Sequence, residues 1–414
     1  MEALAIRRDR VASRPRSSRA AGVVVLLVAA LALSACSPAA GDTHLGTTAP
    51  RGAVAQAKRH AVGGDHAEVA ATGATGKGWA LDKAPAAFGV GVSVATWTDT
   101  RGTTENFYEG TSSPGRIMQV EILYPTVAVK ARVVKPWAAP AYRYGPYPVI
   151  VFAHGYDVDP NTYRALLVSW VAAGYVVVAP FFPDTTLAAI QAQHGVDTEG
   201  DIFNQPGDVA FIVSQLVKAA AGSQLVRIGY LDKMIDPHRL ILAGQSDGGD
   251  TVAALMYDHA YAATRRALAV KPVAVALLSA DEMLRAEDVY SPPQGPGPLV
   301  LVVQSLTDSC NDPSNSSQLY DMLQGARKWF LALDNATHLG PYVGIGAGSP
   351  VVQQVTTAFF NLAVGRPKAS PSALHLAGDN PGVSSITTTA SVPYYPAPSS
   401  VPDACAPPAG APTD

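Results

Sequence analysis

The chain has 414 residues, 48% hydrophobic and only 15% charged, with a formal charge of −3. That is enough apolar material for one large core, so a single α/β unit is the default over two domains. No basic stripe or run of like charge stands out beyond the first residues, which argues against nucleic acid as a partner.

The first 35 residues carry Arg7, Arg8, Arg10, Arg14, Arg16 and Arg19 against Glu2 and Asp9, a charge of +4, so the remainder is near −7. Residues 20–33 are an unbroken apolar run, too short to span a membrane comfortably, and the whole reads as an export signal. Leu33-Ser34-Ala35-Cys36 resembles the lipobox of bacterial lipoproteins, which implies cleavage before Cys36 and its lipidation. The plainer alternative is an ordinary signal peptide cut near Ala35. Residues 36–80, rich in Ala, Gly and Thr, are expected to be a flexible tether. His44, His60 and His66 are too irregularly spaced for a metal site.

Order is expected from Phe88. Alternating Val90, Val92, Val94 and Thr96 predict a strand over 88–97, with an antiparallel partner over 117–124. The pattern then changes. The continuous apolar run 148–153 predicts a strand buried on both faces, followed by a helix over 162–173 and a strand over 175–179. A helix follows over 209–220 with Asp208 as its N-cap, then strands over 240–243, 272–279, 299–304 and 329–333. Further helices are expected over 251–263, 316–323 and 351–364. Strands alternating with helices imply a mostly parallel sheet covered on both sides. The expected domain is 81–366, and the tail 367–414, rich in Pro, Ser, Thr and Ala, is expected to be poorly ordered apart from Cys405.

The stretch over 240–249, Leu-Ile-Leu-Ala-Gly-Gln-Ser-Asp-Gly-Gly, ends an apolar strand in a serine between glycines. A chain turning that sharply into a helix leaves no room for side chains at 244 and 248, and lifts the Ser246 hydroxyl above the sheet edge. Chance would give on the order of 0.2 matches to G-x-S-x-G in such a chain, so its setting between strand and helix carries the assignment of Ser246 as a nucleophile.

A serine needs a base, and the base needs an acid that holds its tautomer. With the chain order Ser, acid, His, only His338 and His375 come late enough, and His375 lies in the tail. His338 is therefore the candidate base. Asp308, leaving the strand 299–304, is the first candidate acid, with Asp312, Asp281 and Glu282 as alternatives. The oxyanion donors are expected to be the N–H groups of Asp247, at the start of the helix, and of Tyr156, after the strand 148–153. His154 is expected to be structural. Asp247 runs against expectation: a carboxylate roughly 6 Å from the oxyanion would oppose it by about 3 kcal/mol, so it must turn away or be paired, and it is expected to disfavour anionic acyl groups. With Cys36 lipidated, Cys310 and Cys405 are an even pair in an oxidising compartment and are expected to form a disulfide, the alternative being two free thiols.

With these residues in place, the chain resembles the secreted serine esterases of the α/β-hydrolase superfamily. The likeness is to dienelactone-hydrolase-like, platelet-activating-factor-acetylhydrolase-like and cutinase-like proteins. The matching pieces are residues 120–125, 149–156, 174–180, 204–209 and 236–239 leading into the elbow, and His338 in its loop. The resemblance implies an α/β-hydrolase fold, Ser246, Asp308 and His338 as the triad, and Tyr156 and Asp247 as oxyanion donors. Dienelactone hydrolases proper have cysteine where Ser246 stands and cutinases usually have Met at Asp247, so neither substrate is carried over. The expectation is a monomeric, lipid-anchored, extracytoplasmic hydrolase of small-molecule or lipid esters that needs no metal or cofactor. A binding lipoprotein without catalysis, or an acyltransferase or thioesterase with the same triad, are the alternatives.

Overall fold

The computed structural model describes residues 84–223, 234–282, 289–291, 297–396 and Cys405. The export signal, Cys36 and the tether lie outside the described residues. The chain from Ala70 onward forms a compact unit of its own.

The described strands are β1 (Gly89–Asn106), β2 (Thr111–Thr126), β3 (Val134–Pro136), β4 (Tyr147–Ala153), β5 (Val176–Phe181), β6 (Ile235–Gln245), β7 (Ala274–Leu278), β8 (Leu299–Ser305), β9 (Lys328–Leu333) and β10 (Ser384–Thr387). They form one sheet in the order β10-β9-β8-β7-β6-β4-β5-β2-β1-β3. From β5 through β4, β6, β7 and β8 to β9 every pairing is parallel, while β2 runs antiparallel to both β5 and β1, and β10 antiparallel to β9.

The apolar runs are continuous because the sheet is covered on both faces. Val149 and Val151 of β4 and Leu240 and Leu242 of β6 face one core, whereas Ile150, Phe152, Ile241 and Ala243 face the other. The first face is covered by α3 (Gln205–Ala220), α4 (Asp247–Tyr257) and α6 (Pro313–Met322), the second by α1 (Arg164–Ala172), α8 (Gly348–Ala363) and α9 (Pro371–Gly378). Three shorter helices, α2 (Leu187–Ala192), α5 (Ala262–Arg266) and α7 (Gly340–Val343), complete the set among the described residues.

Four expectations are corrected. The hairpin β1–β2 runs well past the predicted 88–97 and 117–124, with a register shift between Asp99 and Thr103. This polar ribbon lacks alternation because cross-strand pairing and the buried Arg116 hold it rather than a core face. The helix predicted over 251–263 begins at Asp247 and stops at Tyr257, because Asp258 accepts the Ala260 N–H and starts a new turn. Asp208 does not cap a helix: α3 begins at Gln205, with Asn204 in the cap position, and Asp208 pairs with Arg116 inside the protein. The tail adds a helix and a strand to the fold, so the folded body does not end at 366. Ser370 caps α9, Leu374 and Ile386 are buried, and β10 adds a strand to β9.

Candidate active site

β6 ends at Gln245 and α4 begins at Asp247, leaving Ser246 alone at the turn with φ 54° and ψ −129°. For a residue with a Cβ this left-handed backbone is strained and must be held by its surroundings. The glycines are required by contact: a Cβ at Gly244 would lie 2.1 Å from the Gly248 carbonyl oxygen, and one at Gly248 would lie 2.1 Å from that of Ala153. The elbow is thus wedged between the end of β4 and its own helix.

His338, in the loop between β9 and α7, places Nε2 3.0 Å from Ser246 Oγ. Its Nδ1 donates to Asp308 Oδ2 at 2.8 Å. That bond puts the proton on Nδ1 and makes Nε2 the acceptor that faces the serine hydroxyl. Asp308 is fully buried after β8, and its Oδ1 accepts the N–H groups of Cys310 and Asn311. Two of the alternative acids are otherwise engaged: Asp312 caps α6, and Asp281 is bound by Asn315 and accepts the Glu282 N–H. The disulfide Cys310–Cys405 is formed, two residues beyond Asp308.

Gly155 and Tyr156 follow β4 against the serine. A Cβ at Gly155 would lie 3.2 Å from Ser246 Cβ, so this loop lines the nucleophile with backbone. Of the two expected oxyanion donors, Tyr156 follows Gly155 in this loop and the Asp247 N–H lies in the first turn of α4, where backbone donors have no partner within the helix. His154 is buried, contacts the Gly155 carbonyl through Nδ1 and accepts the Phe182 N–H at Nε2; burial lowers its pKa to about 4, so it stays neutral.

Asp247 is the correction of most consequence. Its side chain is buried and Oδ2 has no hydrogen-bond partner. Burial, followed by the charge of Glu199, raises its pKa to about 8. At neutral pH the group is an uncharged acid, and the expected repulsion of the oxyanion is absent.

Two contributors have no sequence signal. Gln245 accepts from Tyr163 Oη at 2.6 Å and places Nε2 3.3 Å from His338 Nε2, so the unspecified position of the motif braces His338. Arg116 of β2 makes paired bonds to Asp201 and Asp208 in the interior. It thereby ties the β1–β2 ribbon to the segment 184–208, which reaches the oxyanion loop where Thr198 N–H donates to Tyr156 Oη. Among the described residues the one group with metal-ligand spacing is Asp308, Cys310 and His338; Cys310 is in the disulfide and the other two bind each other.

A family model described as chlorophyllase matches residues 103–280, a span that holds Tyr156 and Ser246 and ends before Asp308 and His338. No curated protein sequence matches the chain. Among solved structures, a ferulic acid esterase from Streptomyces cinnamoneus superposes with a TM-score of 0.51 at 18% identity, covering 72% of this chain and 96% of that one. The chain has the α/β-hydrolase fold. Its sheet order, with the serine elbow after β6, is the frame on which this superfamily builds serine esterases. On this fold Ser246, His338 and Asp308 follow β6, β9 and β8, each at the carboxyl end of a parallel strand, which is why residues 62 and 30 positions apart meet.

Proposed function

We propose that the chain is a lipid-anchored, extracytoplasmic serine hydrolase of carboxylic esters. Ser246 Oγ attacks the ester carbonyl while its proton passes to His338 Nε2, and Asp308 holds the imidazolium that forms. The N–H groups of Tyr156 and Asp247 take the oxyanion. Collapse of the tetrahedral intermediate breaks the C–O bond, and the leaving alcohol takes the proton from His338. Water, activated by the same histidine, then releases the acid from the acyl-enzyme.

The observation that carries this reading is the unbroken hydrogen-bond chain from Asp308 through His338 to a serine on a strained, glycine-walled turn. The location rests on the Arg-rich leader and Cys36 alone. The names of the similar proteins add chlorophyll and ferulic acid esters to the substrates worth trying beside p-nitrophenyl esters.

A fluorophosphonate probe is expected to label the protein once, and Ser246→Ala to abolish both labelling and ester hydrolysis, with a loss of roughly 10⁴-fold or more. Labelling that persists in that variant removes the assignment. Cys36→Ala is expected to prevent incorporation of fatty acid, read by metabolic labelling, and intact incorporation in that variant would end the anchoring proposal.

A further inference from the structure

At the edge of the sheet, β3 and its flanks form a surface that ester hydrolysis does not use. From Val127 to Pro146 the chain carries Lys130, Arg132, Lys135 and Arg143 and no acidic residue, in a protein of negative formal charge. All four cations are exposed, and none is in an ion pair among the described residues. Between them stand exposed apolar side chains: Val127, Val133, Val134 and, 65% exposed, Trp137. Cations interleaved with aliphatic groups and an indole suit a lipid headgroup layer, with phosphates for the charges and the acyl boundary for the ring.

The backbone holds this surface in place. Arg132 and Trp137 both adopt left-handed conformations, φ 62° and 55°, which residues with a Cβ avoid. They are kept there by the sheet: Arg132 N–H donates to the Phe88 carbonyl, Trp137 N–H to that of Val92, and Val90 N–H to that of Val133. An edge strand can be guarded against pairing by Lys135 and Pro136 alone. Guarding does not call for an exposed tryptophan on a strained turn.

The position is equally specific. Val134 pairs with Val90 at the start of β1, and the segment runs on into the start of β4. The patch therefore lies at the amino ends of the parallel strands, while Ser246 stands at their carboxyl ends, roughly 20 Å away along β4. Phe88, just before β1, is bonded to this segment through the Arg132 N–H.

We propose that the surface around β3, with Trp137 and its four neighbouring cations, seats the folded body on an anionic phospholipid membrane and leaves the catalytic serine facing the aqueous side. This goes beyond the anchoring reading, because it needs no acyl chain. It also restricts the substrate: the ester arrives from water, not from the bilayer on which the protein rests.

The test uses the chain from Ser37 onward, which keeps the compact unit and removes the leader and Cys36. Pelleting with vesicles containing phosphatidylglycerol is expected, with little on phosphatidylcholine alone, and binding should weaken as salt rises. Replacing Lys130, Arg132, Lys135 and Arg143 by Gln should lower the partition coefficient about fivefold per cation, several hundredfold in all. Trp137→Ser should remove the binding that survives salt. Hydrolysis of p-nitrophenyl acetate should be equal in all variants and in vesicle-bound protein, which shows that they fold. Equal pelleting on neutral vesicles, or pelleting unchanged in the fourfold variant, overturns the proposal. So does a Trp137-dependent dimer in light scattering without vesicle binding, which would assign the patch to a second copy. Failure of the esterase reading is separate, appearing as absent fluorophosphonate labelling whatever the vesicles do.

Discussion

The Asp247 carboxyl sits one residue from Ser246, with Oδ2 buried and unpartnered and with Glu199, Asp197, Asp250 and Tyr163 as titratable groups around it. Burial raises its pKa to about 8, so below that pH it is neutral, and above it a negative charge stands beside the oxyanion. At roughly 6 Å and an effective dielectric of about 20, that charge costs about 3 kcal/mol, a factor of roughly 100 in rate. The wild-type kcat/KM is therefore expected to fall above pH 8, while Asp247→Asn stays level into the alkaline range. Stability has the same sign. The folded state holds this proton more tightly than the unfolded one, so the contribution is complete below pH 3.8 and is lost as pH rises through about 8. Superimposable pH–rate profiles of the two proteins would dismiss the idea. At this scale the sequence singled out three residues that the structure brings within hydrogen-bond distance of one another, because a glycine-framed serine, a late histidine and an intervening aspartate have a fixed chain order. It carried Asp247 poorly, because charge depends on burial, and burial is not written at one position.

Two elements decide whether the site exists. The elbow tolerates no Cβ at Gly244 or Gly248, since backbone rather than a movable side chain lies 2.1 Å away. Gly244→Ala is expected to abolish fluorophosphonate labelling and to destabilise the fold by several kcal/mol, as overpacking and a displaced turn act together; a labelled, stable variant would mean that the turn relaxes. The second element is the ribbon of β1 and β2. Burial opposes the charge of Arg116, but its bonds to Asp201 and Asp208 more than offset this and its pKa is raised. Asp208 is pushed up to about 7 by burial despite that bond, and Asp184 to about 6 by burial and then the charge of Asp201. Arg116→Ala leaves these carboxyls without their cation, which should cost about 3–5 kcal/mol and lower Tm by roughly 5–15 °C. Because both acids have raised values, the loss should be larger at pH 8 than at pH 5, where they take up protons. A calorimetric scan at the two pH values gives the answer, and an equal shift at both would show that lost packing, not charge, is responsible. Neither the ribbon's length nor this cluster was legible, since Arg116 and its partners are 85 and 92 residues apart and a Thr- and Ser-rich strand has no apolar face to reveal it.

The whole molecule was legible where the sheet is buried on both sides and illegible where it closes. Parallel strands such as Val149–Phe152 announce themselves as continuous apolar runs; β10 is four residues, Ser-Ser-Ile-Thr, and becomes a strand only because β9 offers an edge. The tail that looked disordered by composition therefore completes the sheet, and Cys405 ties its end to Cys310. Crosslinking residues 95 positions apart is worth about 4–5 kcal/mol in the chain-entropy model. The turn that presents Asp308 has its own backbone bonds from Cys310 and Asn311, so it does not depend on the sulfur bridge for its shape. The Cys310→Ser/Cys405→Ser double variant is accordingly expected to lower Tm by about 10–15 °C with kcat at 25 °C nearly unchanged. Ending the chain at Gly365 should do more: it strips β10 from β9, bares the face that Leu374 and Ile386 cover and should give insoluble protein. If the double variant instead loses activity at an unchanged Tm, the bridge acts on the position of Asp308 and not on the stability of the fold. A soluble, active chain ending at Gly365 would mean that β10 is an ornament on a sheet already complete.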